Sequence, residues 1–437
     1  MNYGAHSGPS PSPSPSPSLS AGPSPSLSAG PSPSLSPRPA ASGFEPPPYP
    51  YDRLAGLRMA AGRHPGGMVD LSIGTPCDPP PGVAIAAMER SRTARGYPAS
   101  AGSDEYRGAA AGWLERRFGI AIPPGNVAAC VGTKELVAGT PWLLRLRSPE
   151  RDTVLYPAVA YPTYALGAIL AGCRPVGVPE APDGGMDLSA ISDEDAARAL
   201  VLWVNSPSNP TGALSDLEAA GSWGRANGVP VLSDECYVEF TWERWPPETI
   251  LQHGVEGVLA VHSLSKRSNM AGLRAGFYAG DPELVRYLSE VRKHAGLMVP
   301  GPVQAAGAAA LGDDEHVAEQ RRRYRDRLDR LAGLLRFAGL DARVPAGGFY
   351  LWIAAPKWAA DRAVAEGRSG GWVLAEALAE AAGMLGSPGE LYGDAGAGFV
   401  RLAMVQPEHR MDLLESRLVG LGEGSLAAPL PATRQAG

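Results

Sequence analysis

The sequence predicts an α/β fold, a mostly parallel central sheet flanked by helices, with a smaller α+β domain on its C-terminal side. Three observations predict it. Between residues 127 and 279, short apolar runs alternate with helix-length stretches, the rhythm of strand–helix–strand units. Several of these runs stop at a polar side chain, and ligands bind such sheets beyond the carboxyl ends of the strands. From residue 298 onward the order changes to long helices followed by separated strands. The 437 residues, 44% of them hydrophobic, are ample for more than one core.

In chain order, residues 1–45 are a Pro/Ser-rich tail of near-repeated Gly-Pro-Ser-Pro-Ser-Leu-Ser units, too poor in apolar surface to offset its ordering entropy. It is expected to be disordered. Residues 46–95 form an N-terminal arm and part of the small domain, with a helix over 52–58, a strand over 69–73 ending in Gly74-Thr-Pro76, and a helix over 83–91. Residues 96–297 form the large domain. It opens with a loop at 97–102 and an amphipathic helix over 104–118 that turns Ala109, Trp113 and Leu114 inward. Strands are expected at 127–131, 153–156, 175–178, 199–204, 229–232, 258–261 and 273–279, with helices at 135–145, 164–171 and 217–227 between them. Residues 298–423 form the small C-terminal domain. It contains one long helix over 302–337 with a Gly-Asp-Asp interruption, strands at 347–353 and 398–404, and a helix over 372–382. Residues 424–437 are a frayed tail.

Composition narrows the function. A formal net charge of −6 leaves no basic footprint for nucleic acid. The arginine-rich run 321–330 carries Asp326 and Asp329 at helical spacing and reads as an ion-paired surface. Four cysteines lie scattered without a C-x-x-C pair, and seven histidines show no metal spacing, so neither a disulfide framework nor a metal site is expected. No apolar run is long enough for a membrane span and no secretory signal is read, which points to the cytoplasm.

The chemistry centres on Val261-His-Ser263-Leu-Ser265-Lys266-Arg-Ser-Asn-Met-Ala-Gly-Leu-Arg274-Ala-Gly276. A lysine at the mouth of a buried sheet is costly to desolvate unless its charge is used or its proton is lost, and the free amine forms a Schiff base with a carbonyl. Hydroxyls and a guanidinium nearby are groups that hold phosphate. Lysine and phosphate seat together point to pyridoxal 5'-phosphate, although in isolation a surface turn with the basic pair Lys266-Arg267 is the stronger reading. Other strand ends add polar groups. Gly132-Thr133-Lys134 opens a helix whose free N–H groups suit a phosphate or are simply capped. Asn209 is held extended before Pro210, within a rigid turn. Asp234 is a strand-end carboxylate that needs a partner, such as a protonated pyridine nitrogen, and Tyr237 follows it. Arg401 lies within an apolar run and needs an anion, either a ligand carboxylate or a structural ion-pair partner.

Taken together, Tyr97-Pro-x-x-x-Gly102, Val131-Gly-Thr-Lys134, Pro157-Ala-Val-Ala-Tyr161-Pro-Thr-Tyr164, Asn205-Ser-Pro-Ser-Asn209-Pro-Thr-Gly212, Ser233-Asp234-Glu-Cys-Tyr237, Ser263-Leu-Ser-Lys266 with Arg274, and Phe399-Val-Arg401-Leu resemble the class I/II aminotransferases of PLP fold type I, over about residues 46–420. The resemblance implies a homodimer with shared active sites and small-molecule amino acid and 2-oxo acid substrates. It implies that Lys266 carries the cofactor and then shuttles the proton, and that Asp234 pairs with the ring nitrogen. Asn209 and Tyr237 would bond the ring oxygen, and Tyr161 would stack on the ring. Gly132, Thr133, Lys134, Ser263, Ser265 and Arg274 would seat the phosphate, with Tyr97 reaching it from the neighbouring subunit. Arg401, with Asn209 and the backbone at Gly74, would hold the substrate α-carboxylate.

The stretch 263–276 and Met298-Val-Pro-Gly-Pro-Val-Gln304 further resemble the actinobacterial N-succinyldiaminopimelate aminotransferases. This implies N-succinyl-LL-2,6-diaminopimelate and 2-oxoglutarate as substrates, in lysine biosynthesis. An aminotransferase for another amino acid, a PLP-dependent C–S lyase, and a regulatory protein on the same fold are the alternatives. The last would carry a winged helix-turn-helix where this chain has its Pro/Ser tail.

Overall fold

Seven strands make the central sheet of the computed structural model, which describes residues 43–182 and 184–429. They are β1 (Val127–Cys130), β2 (Thr153–Pro157), β3 (Arg174–Val178), β4 (Ala199–Asn205), β5 (Val231–Asp234), β6 (Val258–Ser263) and β7 (Gly276–Gly280). Their order across the sheet is β1-β7-β6-β5-β4-β2-β3. The pairings from β6 to β3 are parallel, whereas β7 runs antiparallel to both β6 and β1. Every residue of β4 and β6 is buried, because helices cover both faces, and this is why these strands read as unbroken apolar runs.

The register gathers the polar strand ends. Asn205 pairs with Asp234, and Asp234 with Val261, two residues before Ser263 ends β6. Strand β5 begins two residues later than the expected 229–232. Gly228 closes the preceding helix in the left-handed conformation, Val229 still bonds back to Gly224, and Pro230 has no N–H to give the ladder. The shift makes Asp234 the last residue of the strand. Strand β7 likewise starts at Gly276 rather than at 273, because Leu273 ends a 3-10 turn and Arg274 has φ +56°, neither of which is strand backbone.

The helices used below are α1 (Asp104–Phe118), α2 (Thr133–Arg147), α3 (Leu264–Arg267), α4 (Gly301–Leu311), α5 (Glu315–Phe337) and α6 (Gly370–Ala382). The expected helix over 302–337 is two. At Gly312-Asp313-Asp314 the Asp313 carboxylate accepts from the Glu315 N–H at 3.0 Å and restarts the chain as α5. Helix α4 packs on α1 and on the helix Gly82–Arg90, and its Val303, Ala306 and Leu311 share the core on one face of the sheet with Tyr106, Trp113 and Ala84. The opposite face is filled by Leu136, Tyr164, Trp203 and Leu259.

A separate apolar core holds α5, α6 and an antiparallel sheet of β8 (Tyr350–Ala354), β9 (Ser387–Pro388) and β10 (Phe399–Ala403), in the order β9-β10-β8. Leu54, Leu57 and Leu71 belong to this core, and Val69–Asp70 pairs in parallel with Met384–Leu385. The N-terminal arm is thus built into the C-terminal core. The Pro/Ser tail through residue 42, and the last part of the frayed tail from residue 430, lie outside the described residues. No helix among the described residues is long and apolar enough to cross a membrane.

Candidate active site

A cavity of about 540 Å³ opens beyond the carboxyl ends of the parallel strands. Gly74, Thr133, Lys134, Tyr161, Asn209, Asp234, Tyr237, Ser263, Ser265, Lys266, Arg274 and Arg401 all line it. One set of walls therefore joins side chains from nearly the whole chain.

Lys266 is on α3, which starts as β6 ends, and the Ser263 hydroxyl caps that helix by accepting from the Ser265 N–H at 3.1 Å. Its ammonium donates to the Gly74 carbonyl. Burial lowers the Lys266 pKa to about 8; Arg401 and Arg274 push the same way, and Cys236 and Asp234 oppose them. The amine is thus close to the neutral, nucleophilic form.

Asp234 is buried and forms no ion pair among the described residues. Its Oδ2 accepts from the Tyr164 hydroxyl at 2.9 Å and its Oδ1 from the Cys236 N–H at 3.2 Å. Asn205 Nδ2 holds the Asp234 carbonyl at 2.8 Å. Burial raises the carboxyl's pKa, and the bonds from Cys236 and Tyr164 and the charge of Lys266 pull it back. Such a carboxylate is suited to a cationic N–H ligand.

An anion seat faces it. Gly132, at φ +73°, precedes α2, and a Cβ there would lie 2.1 Å from Arg274 Nη2. The backbone conformation favours glycine, and a side chain there would push the Arg274 guanidinium aside. The Arg274 guanidinium is held by the Ala271 carbonyl at 2.8 Å and reaches Val131 O at 3.5 Å, with no carboxylate partner among the described residues. An α-helix N-terminus, a guanidinium without an acidic partner and the hydroxyl residues Thr133, Ser263 and Ser265 are the donors a phosphate takes. Lys134, expected in this group, turns instead to the arm and the ring wall. Its Nζ is 3.4 Å from the Tyr49 hydroxyl and lies over the rings of Tyr49 at 5.0 Å and Tyr161 at 5.7 Å.

Arg401, 2% exposed, projects from β10. It donates to Asn209 Oδ1 at 2.7 Å and to the Ser72 carbonyl at 2.5 Å, between the rings of Tyr350 at 4.2 Å and Tyr392 at 4.7 Å. It forms no ion pair among the described residues, and its Nε has no hydrogen-bond partner. A buried guanidinium surrounded by neutral groups, with a cavity beside it, is arranged to accept an external carboxylate. Asn209 is positioned in turn, its N–H donating to Asn205 Oδ1 at 2.8 Å. The Tyr237 and Tyr350 hydroxyls are 2.8 Å apart. At Gly74 a Cβ would lie 2.1 Å from the Tyr350 hydroxyl oxygen, so the chain passes that ring only as glycine.

Tyr97 does not line the cavity; it is 99% exposed. Tyr49, Tyr51 and Tyr350 line it without having been singled out as site residues, as do Tyr164, Asn205 and Cys236, which the sequence motifs contain but to which no role was attached. For Asn205 the signal was its place at the end of a seven-residue buried strand. Tyr49 and Tyr51 carried none, because a short Pro-Tyr-Pro-Tyr segment has no periodicity to place it.

The family aminotransferase class I and II matches residues 66–416. The chain is 39% identical over 384 residues to the 4-dedimethylamino-4-oxo-anhydrotetracycline transaminase of Streptomyces rimosus, covering 86% of this chain and 99% of that one. It is 34% identical over 388 residues to the LL-diaminopimelate aminotransferase of Desulforudis audaxviator, covering 86% and 95%. Among solved structures, a probable N-succinyldiaminopimelate aminotransferase from Thermus thermophilus superposes with a TM-score of 0.73 at 31% identity, covering 84% of this chain and 99% of that one.

Proposed function

The chain belongs to the class I and II aminotransferases, and on that premise we propose that it transfers an amino group between N-succinyl-LL-2,6-diaminopimelate and 2-oxoglutarate, giving N-succinyl-2-amino-6-oxopimelate and glutamate. Enzymes of this family use pyridoxal phosphate, and the cavity suits it: an amine of lowered pKa, a buried carboxylate without a cation, and an anion seat in which a Cβ at residue 132 would displace Arg274. When bound, that cofactor supplies an electron sink for negative charge developing at the substrate Cα.

In this reading Lys266 Nζ would hold the cofactor's aldehyde carbon and, once released, would take the proton from the substrate Cα and deliver it to that carbon, which a near-neutral amine does well. Asp234 would keep the ring nitrogen protonated. Asn209 and Tyr237 would orient the ring oxygen, and Tyr161 would cover the ring face. Gly132, Thr133, Ser263, Ser265 and Arg274 seat the phosphate, with Lys134 at its edge. The observation that carries the proposal is Arg401, a buried guanidinium without an anion in the same cavity as Lys266 and Asp234. Its fork would grip the α-carboxylate common to both amino substrates, beside Asn209 and the Gly74 backbone.

The succinylated substrate is favoured by the likeness to the Thermus protein and by the 298–304 segment. A homodimer goes with this reading, since Tyr97 is free to reach a second copy's phosphate seat. A cytoplasmic setting agrees with four cysteines that are all unbridged. The likeness to the tetracycline transaminase favours a second reading, in which the amino acceptor is a bulky ketone.

The test is kcat/KM for glutamate with N-succinyl-2-amino-6-oxopimelate as acceptor, against other 2-oxo acids and a polycyclic ketone. Preference for the succinylated acceptor supports the first reading and preference for the polycyclic ketone the second. Release of a thiol and pyruvate from a cysteine conjugate, without amino transfer, would sink both.

A further inference from the structure

Behind the catalytic wall lies a polar pair that the proposed chemistry does not use. Glu235 follows Asp234 directly, and His262 directly precedes Ser263. Their exposures are 1% and 2%. Glu235 Oε1 accepts from the Ile250 N–H at 2.9 Å. Glu235 Oε2 and His262 Nε2 are 3.5 Å apart without being aligned as a hydrogen bond, and Oε2 and both imidazole nitrogens have no hydrogen-bond partner, although the Thr249 and Ser233 hydroxyls lie close to the carboxyl and the Glu235 backbone close to the imidazole. The imidazole is walled by the rings of Trp113 at 4.9 Å, Phe277 at 5.0 Å and Phe118 at 6.2 Å.

Two ions in such a dry pocket lose more in hydration than they regain by attraction unless their remaining polar atoms are bonded, and here Oε2 and both imidazole nitrogens are not. The charged neighbours point the same way. Asp234, next on β5, opposes a second negative charge on Glu235, and Arg267 on α3 opposes a positive charge on His262. Burial pushes the Glu235 carboxyl up to about 8, against the Ile250 N–H and the hydroxyls of Thr249 and Ser233, and burial pulls His262 down to about 3. A small turn of either side chain would let one proton between Oε2 and Nε2 serve both atoms without creating an ion.

We propose that Glu235 and His262 form a neutral pair sharing one proton, and that both are positioning residues, tying the end of β5 to the end of β6 so that Asp234 and Ser263 meet the cofactor from fixed places. A neutral pair puts no second negative charge beside Asp234. The positioning half rests on the assignment of Asp234 and Ser263 to the cofactor; the proton-sharing half does not.

The experiment takes the cofactor-loaded enzyme. An infrared difference between wild type and Glu235→Gln should show, at neutral pH, the carbonyl stretch of an un-ionised carboxyl that the variant lacks. The ¹⁵N signal of His262, assigned by its loss in His262→Gln, should be that of a neutral ring in the wild type. Glu235→Gln keeps a neutral donor and should hold the cofactor within about twofold of wild type, whereas Glu235→Leu, measured well below its melting temperature, should bind it about tenfold more weakly. A charged His262, or no carboxyl band in the difference, overturns the neutral pair whether or not either variant folds. Wild-type cofactor affinity in a folded Glu235→Leu overturns the positioning role, while the kinetic preference among substrates tests the functional reading separately.

Discussion

The hydroxyl of Tyr164 donates to Asp234 Oδ2 at 2.9 Å, from the first turn of the helix Thr163–Leu170 to the last residue of β5. Both groups are buried, and the bond is one of the interactions that hold the Asp234 carboxyl toward its ionised form against burial. Tyr164→Phe removes the donor and leaves the ring in place. The Asp234 carboxyl should rise further, and cofactor affinity should fall about three- to tenfold, read by titrating the apoprotein. Unchanged affinity would separate Tyr164 from the ring-nitrogen site.

Asp234→Ala should separate binding from turnover. The phosphate seat of Arg274 and the α2 N-terminus is untouched, so cofactor affinity should fall by about tenfold, while kcat falls by about a hundredfold or more. Equal losses in both would mean that Asp234 serves binding alone.

The pH dependence of the cofactor-free protein should report Lys266. Its amine titrates at about 8 in the folded chain and near 10.4 when unfolded. Between these values the unfolded chain binds a proton that the folded one does not, so this group adds stability as pH rises. Below about 8 the charged amine exerts its full penalty. The gain in urea midpoint from Lys266→Met should therefore be largest below pH ~8 and shrink toward pH ~10. A gain that does not vary with pH would place the ammonium in water.

Arg401→Lys keeps the charge and loses the planar fork. It should lower kcat/KM for glutamate and for N-succinyl-LL-2,6-diaminopimelate together, by about 10- to 100-fold each, with little change in cofactor affinity. Loss for one substrate alone would assign Arg401 to a side-chain carboxylate.

Gly132→Ala puts a methyl group within 2.1 Å of Arg274 Nη2, at a residue whose φ of +73° already disfavours a side chain. Cofactor affinity should fall at least about tenfold, while the fold, read by far-UV circular dichroism, persists. An alanine variant that binds the cofactor normally would move the phosphate seat elsewhere.

The chemistry was most legible where one strand decides a residue's position. Asp234, Ser263 and Arg401 each interrupt or end an apolar run, and burial on both faces makes such interruptions conspicuous. Lys266 was legible from the hydroxyls and arginine around it. Of the site's tyrosine wall, Tyr161 and Tyr237 were legible and the rest was not. Tyr49 and Tyr51 lie in one segment about 300 residues from Tyr350, and only tertiary packing brings them to one cavity. Boundaries slipped where one residue's backbone overrode the apolar pattern, as Pro230 does before β5 and Arg274 before β7. The break at residues 312–314 was visible as Gly-Asp-Asp, but the cap by Asp313 that turns an interruption into two helices is a side-chain geometry.

The pairing of Val69–Asp70 with Met384–Leu385 has a consequence for how the chain is made. The ribosome delivers the partner strand roughly 300 residues later, ~15–60 s at ~5–20 residues per second. Throughout that interval Leu54, Leu57 and Leu71 have no finished core to enter. The arm therefore cannot complete its pairing or its share of that core until residues 384–385 have been made, so the small domain closes late in synthesis.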